Sequence, residues 1–339
     1  MIKKINHVWL FFTDRCNLAC GYCFYKYKTQ QQVISSSTFQ NILEFIRPAA
    51  PAEFVFSGGE PLMEAERLKA MIAMIRKEGL SRYISVQTNA TLLDEALMEF
   101  FLCHGVNLEV GIDGNQATTQ RNRPGIDNFH YTDIVRGVNL AIGAKGSLTA
   151  TMTVHPDSAG KLLENLKYLA AMGLKSVEVH PAFLEDWQRP SADIFLDQYR
   201  RACAWELKEG LHGLIGRGYS ESSAGTWDLL SVPDGKILPN WLLLSFPEEV
   251  REHFYLMDLS SGFSGEFLPQ AKSYFQALEE HEALHPDCSY RSISNFNALL
   301  AVKTPSGRCY EQKVKHYVDL CEQIEKIDHK IMGIAVWHK

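Results

Sequence analysis

No apolar run in the 339 residues approaches the roughly 20 residues that a helix needs to cross a bilayer, so no membrane span is expected. There is no short-period internal repeat and no low-complexity tract, which sets aside a solenoid array. Positive charge is in short supply. Against 40 Asp and Glu stand 34 Lys and Arg, a formal net charge of −6, and this argues against a general nucleic-acid surface. The opening Met-Ile-Lys-Lys-Ile-Asn carries no signal-peptide cleavage pattern, and a cytoplasmic protein is expected. Cysteine is sparse too, eight in the whole chain, where a secreted disulfide scaffold would be shorter and denser. What is present suits an ordinary globular protein: 46% hydrophobic and 22% charged residues, and a length sufficient for one large domain or one domain with an appendage.

The first 180 residues alternate between two periodicities. Short β-rich runs at His7–Phe12, Glu53–Phe56, Tyr83–Gln87, Leu108–Ile112, Thr149–Val154 and Ser176–His180 predict strands. Stretches of helical spacing lie between them, at Thr38–Ile46, Met63–Lys77, Leu93–His104, Tyr131–Ile142 and Ala159–Ala171. Strands alternating with helices imply parallel strands joined by right-handed crossovers, hence an open or partial (β/α) barrel with ligands at the carboxyl ends of the strands. The unusual polar clusters all fall on that rim: the cysteine loop, Ser57-Gly58-Gly59-Glu60, Thr88-Asn89-Ala90, Asp113-Gly114, His155 and His180. Beyond residue 200 the alternation degrades. A long helix is expected at Asp193–Gly210, a hairpin at Pro233-Asp234-Gly235, and two helices at Gln270–His281 and Glu311–Lys326. The expected division is 1–205 and 206–339.

Cys16, Cys20 and Cys23 form a C-x3-C-x2-C array. Four thiolates would saturate a cubane cluster; three leave one iron open, as a catalytic zinc site keeps an open position. A zinc site lacking its fourth ligand, or three core cysteines, are the alternatives. An aromatic residue, Tyr22, precedes the third cysteine, and Gly58-Gly59-Glu60-Pro61 follows the second strand. On these motifs the chain resembles the radical SAM superfamily. Gln87-Thr88-Asn89-Ala90, Gly111-Ile112-Asp113-Gly114 and Arg123-Pro124 are similar to its maturase-like branch, which includes the anaerobic sulfatase-maturating enzymes.

The resemblance implies a partial (β/α)6 barrel and one [4Fe-4S] cluster on Cys16, Cys20 and Cys23. It also implies S-adenosylmethionine (SAM) as cofactor and an external one-electron donor of the flavodoxin or ferredoxin kind. Cofactor contacts are expected from Tyr22, Gly58, Gly59, Glu60, Asn89, Asp113 and Arg123. The paired glycines would let backbone carbonyls approach a ligand that a Cβ would block, and Glu60 would partner the SAM ammonium. Arg123 would pair with the SAM carboxylate or serve a structural ion pair. Asp113 would cap its loop. The serine that binds SAM in relatives is replaced by Gly111.

Many maturase-like relatives carry a C-terminal SPASM or twitch region with auxiliary clusters. Its turn frame is matched by Ser222-Ser223-Ala224-Gly225 and Asp234-Gly235, but the ligand positions read Ser222, Asn240, Arg291, Asn297 and Ala301. Two remaining cysteines, Cys288 and Cys309, cannot hold two cubanes. A SPASM-like extension without auxiliary clusters is therefore expected, with Cys288 and Cys309 as candidate hydrogen-atom donors. Cys103, Cys203 and Cys321 read as small core residues. The resemblance implies radical modification of a peptide or protein; a redox-neutral reaction on a sugar, nucleoside or amino acid is the alternative, and a cluster-binding sensor a third. His155, His180, Asp228 and Tyr290 are further candidates at the substrate.

Overall fold

Six β-rich runs in the first half become six parallel strands: β1 Lys4–Thr13, β2 Ala52–Gly58, β3 Ser81–Thr88, β4 Val106–Gly111, β5 Leu148–Val154 and β6 Val177–Pro181. The computed structural model describes residues 4–29, 31–126, 129–183, 185–216, 226–239, 241–246, 248–262, 267–269, 315–324, 326–328 and 330. Between the strands run α1 Ser36–Ile46, α2 Ala65–Glu78, α3 Glu95–Cys103, α4 Gln116–Asn122, α5 Tyr131–Gly143 and α6 Leu162–Ala171, with α7 Arg189–Lys208 after β6. Local chemistry sets their ends. Ser35 caps α1 by accepting from the Thr38 amide, Asp94 caps α3 by accepting from Leu97, and Gly79, in the left-handed region, closes α2. The short helix α4, absent from the periodicity reading, is capped by Asn115.

Each of β1–β6 pairs in parallel with the next, giving the expected partial (β/α)6 barrel. Strands buried on both faces would read as continuous apolar runs. Here β4 and β6 alternate instead between buried and half-buried positions. One face carries Phe54, Phe56, Ile84, Val86, Leu108 and Val110 into the helix-covered core. The other is polar, with Ser57, Gln87, Glu109, Glu178 and His180 on neighbouring strands. Across it Ser57 donates to Gln87 (2.7 Å), Gln87 donates to Glu109 (2.6 Å), and His180 lies 3.2 Å from Glu178.

The sheet does not stop at residue 205. β7 Ile215–Gly216 joins β6. β8 Thr226–Ser231 lies parallel to β1 on the opposite flank, and β9 Lys236–Leu238 and β10 Met257–Asp258 extend that flank. The hairpin at Pro233-Asp234-Gly235 is present as the β8–β9 turn, with Gly235 in the left-handed region. Its first strand is also a partner of β1, a pairing over more than 200 residues that no local pattern announces. Residues 315–324 are helical, within the expected Glu311–Lys326. Tyr199 of α7 donates to buried Asp328 at 2.9 Å. The expected helix Gln270–His281 lies outside the described residues.

Candidate active site

The carboxyl end of β1 leads directly into the cysteine loop, and two devices hold that loop. Buried Asp14 accepts from Thr29 N (2.8 Å) and Gln32 N (2.8 Å), folding residues 14–32 back onto the strand. On the other side the loop pairs with the segment after α4. Ala19 N donates to Pro124 O (2.9 Å), Gly21 N to Asn122 O (3.1 Å), and Ile126 N to Asn17 O (2.9 Å). Arg123-Pro124 thus supplies backbone for the loop as well as a side chain.

Cys16, Cys20 and Cys23 are each half-buried and outside any disulfide. Burial pushes the Cys16 thiol up, with Glu60 and Cys23 adding to it, and pushes the Cys20 thiol to about 12, with Cys23 and Cys16 adding to it. A metal binding here must displace thiol protons. Lys28 Nζ lies 3.2 Å from Cys23 Sγ. Among the described residues no three of His, Cys, Asp or Glu are closed around a metal-sized point; the loop keeps the thiols as neighbours. Soft thiolate donors in this number suit an iron–sulfur cluster with one open iron.

Tyr22, Asp113 and Arg123 come together as one buried cluster. Tyr22 Oη donates to Asp113 Oδ2 (2.5 Å), and Arg123 Nη2 and Thr153 N donate to Oδ1 (2.9 and 3.0 Å). The Arg123 guanidinium lies 5.5 Å from the centroid of the Tyr22 ring. Asp113 thereby ties the cysteine loop to the tips of β4 and β5. A Cβ at Gly111 would meet the Arg123 guanidinium, so a serine there would require that side chain to shift. Arg123 Nε is buried with no partner among the described residues.

The Gly-Gly-Glu turn meets a steric demand of the chain's own backbone that the sequence expectation did not include. A Cβ on Gly58 would collide with the Thr13 carbonyl, and one on Gly59 with the Arg15 carbonyl. The glycines are needed because the turn docks on the root of the cysteine loop, where Gly59 N donates to Thr13 O and Glu60 N to Arg15 O, both at 2.6 Å. Glu60 is fully buried. Its Oε1 accepts from Thr88 Oγ1 (2.7 Å) and Leu62 N (2.9 Å), and its Oε2 from Asn89 N (2.7 Å). Burial pushes this carboxyl up to about 7 although all three hydrogen bonds pull it down. No cation pairs with it among the described residues. A buried carboxylate without a counter-charge, with one lone-pair direction still open, fits a ligand ammonium.

Asn89 donates to Asn17 Oδ1 (2.8 Å), while Thr91 Oγ1 donates to Asn89 Oδ1 (2.7 Å) and accepts from Asn17 Nδ2 (2.7 Å). Ala90 holds φ +62°, a left-handed backbone that costs an L-residue more than glycine. Asp14, Asn17, Lys28 and Thr91 were missed by sequence reasoning. Asn17 sits inside the motif and Thr91 just past Thr88-Asn89-Ala90; Lys28 and Asp14 carry no spacing signal. His155 accepts from Asp157 N at 3.2 Å and lies 3.5 Å from Glu185. Asp228 pairs by its backbone with His7. Cys288, Cys309, Tyr290, Ser222, Asn240, Arg291, Asn297 and Ala301 lie outside the described residues.

A partial barrel with three loop cysteines beside a docked Gly-Gly-Glu turn defines a class, and the comparisons agree. The profile of the Radical SAM superfamily matches residues 10–180, and the chain belongs to that superfamily. SAM and an iron–sulfur cluster are its cofactors. Among relatives it is similar to the serine-type anaerobic sulfatase-maturating enzyme of Klebsiella pneumoniae, 27% identical over 183 residues, 50% of this chain and 46% of the relative. It is also similar to the PqqA peptide cyclase of Granulibacter bethesdensis, 23% identical over 275 residues, 74% of this chain and 72% of that one. The chain spans about half the length of the maturase relative. Native anSMEcpe with bound AdoMet has the same fold, with a TM-score of 0.69 at 15% identity over 99% of this chain and 100% of that one. Among the described residues no helix is long and apolar enough to cross a membrane.

Proposed function

We propose that this chain is a radical SAM enzyme that modifies a peptide or protein substrate, with one [4Fe-4S] cluster on Cys16, Cys20 and Cys23. The observation that carries the reading is the Gly58-Gly59-Glu60 turn seated on the cysteine loop, with a buried carboxylate and, among the described residues, no cation paired with it. When bound and reduced, the cluster and SAM together supply a 5′-deoxyadenosyl radical that takes a hydrogen from the substrate. The chain's own residues bind and orient. Glu60 offers charge to the SAM ammonium, and Arg123, whose Nε has no partner among the described residues, offers an N–H donor to the carboxylate. The Ser57, Gln87, Glu109, Glu178 and His180 row provides polar groups for substrate along the inner face. The electron comes from a flavodoxin- or ferredoxin-like donor. Residues 206–339 cover the barrel mouth as a SPASM-like extension without auxiliary clusters, keeping the radical from water. The peptide substrate is supported by similarity to maturases and a peptide cyclase. The small-molecule alternative draws on the polar row, which suits hydroxyl or amino groups.

Anaerobic reconstitution should load about four irons per chain, and dithionite should then release 5′-deoxyadenosine from SAM. Replacing Cys16, Cys20 and Cys23 together by alanine should abolish both. Near eight or twelve irons would overturn the single-cubane reading. Deuterium transfer into 5′-deoxyadenosine from labelled peptide pools, against labelled sugars, nucleosides and amino acids, separates the two substrate classes.

A further inference from the structure

The loop that bears the cysteines also carries a cation with no carboxylate. Lys28 is half-buried, and among the described residues no Asp or Glu lies within ion-pair distance of its ammonium. Its hydrogen bond is to a cysteine: Nζ lies 3.2 Å from Cys23 Sγ. A partly desolvated ammonium whose partner is only a thiol is a poor arrangement in a metal-free chain. It becomes a good one when that sulfur carries negative charge. The position is also held. Next to Lys28, Thr29 donates to buried Asp14 through both its backbone N (2.8 Å) and its hydroxyl (2.5 Å), and Gln32 N donates to the other oxygen of the same carboxylate (2.8 Å). Asp14 is spent on these amides and that hydroxyl, which fix the backbone beside the lysine. The other cation near the triad, Arg123, is compensated by Asp113 at 2.9 Å. Among the described residues, Lys28 is thus the cation near the cysteines whose charge is left for them.

We propose that Lys28 is a positioning residue for the cluster site, holding one uncompensated positive charge against the Cys23 sulfur so that one-electron reduction becomes easier. The inference rests on the cluster assignment made above. Reduction adds one electron and one negative charge to the cluster and its thiolates, with no proton moved. A fixed cation favours the more negative state, so it raises the reduction potential. That matters for a chain that must accept an electron from a low-potential flavin or iron–sulfur donor.

The test is a redox titration of the anaerobically reconstituted full chain, with dithionite and mediators, followed by the reduced cluster's paramagnetic signal. Lys28→Met removes the charge at similar length; Lys28→Arg keeps it. With iron content equal to wild type, Lys28→Met should disfavour reduction at least tenfold, a midpoint at least 59 mV more negative for a one-electron couple. Lys28→Arg should stay close to wild type. An unchanged midpoint in iron-replete Lys28→Met overturns the proposal. If Lys28→Met fails to hold iron, Lys28→Arg decides: iron retained there supports a charge role, and iron lost in both shows that the side chain serves packing and overturns it. A wild-type chain that holds no iron would instead overturn the cluster assignment, a separate failure.

Discussion

At Glu60, burial and hydrogen bonding act in opposite directions, and the result can be read as a pH dependence. The carboxyl is pushed up from 4.5 to about 7, so between those values the folded chain binds more protons than the unfolded one. Its contribution to stability is therefore full below about pH 4.5, falls as pH rises through 7, and is flat above. At about 1.4 kcal/mol per pKa unit the whole effect is on the order of 3 kcal/mol. Urea unfolding of the metal-free chain at pH 4.5 and 8 should show wild type losing ground to Glu60→Gln across that window; a constant difference would mean the carboxylate is ionised throughout. Asp113 is the opposite case, a buried acid with its cation in place. Asp113→Ala strands Arg123 and should cost about 3–5 kcal/mol. Tyr22→Phe removes one hydrogen bond, keeps the ring, and should cost about 1–2 kcal/mol. Equal losses in the two variants, by denaturant midpoint, would refute this ordering. The sequence named Tyr22, Asp113 and Arg123 as separate candidates; that they bind one another follows from the meeting of three chain segments.

The elements themselves were legible because strand and helix periods differ, and β4 and β6 alternate cleanly. All six expected strands match, and β1 is three residues longer at its start and one at its end, Lys4–Thr13 in place of His7–Phe12. The turns between elements were legible as motifs but not as mechanisms. Gly59 was expected to clear space for a ligand, whereas its missing Cβ clears space for the Arg15 backbone. This changes the expected phenotype. Gly59→Val should disturb the cysteine loop and lose iron together with SAM cleavage. Iron quantification after reconstitution checks it, since full iron retention with lost cleavage would restore the ligand-clearance explanation.

For the whole molecule, the decisive contact is β8 against β1. It makes β1 an interior strand, and it joins residues past 205 to the sheet that carries the cysteine loop. Leu230, paired with Trp9 and 1% exposed, sits in that seam. Leu230→Ala should cost about 2–5 kcal/mol, seen in thermal or denaturant unfolding, whereas independent halves would leave the barrel's transition unmoved. Cys288→Ala and Cys309→Ala should leave iron content at about four per chain, because the proposed cluster uses the loop cysteines alone. By itself the sequence determined the strand–helix alternation, the rim that bears the polar clusters, and the three thiols, since each depends on residue type at short spacing. Only the tertiary structure decided that Arg123 fills the space over Gly111, that Lys28 reaches Cys23, and that β8 flanks β1. The last two need the chain folded back on itself, and all three depend on atoms meeting in space, which no periodicity along the chain encodes.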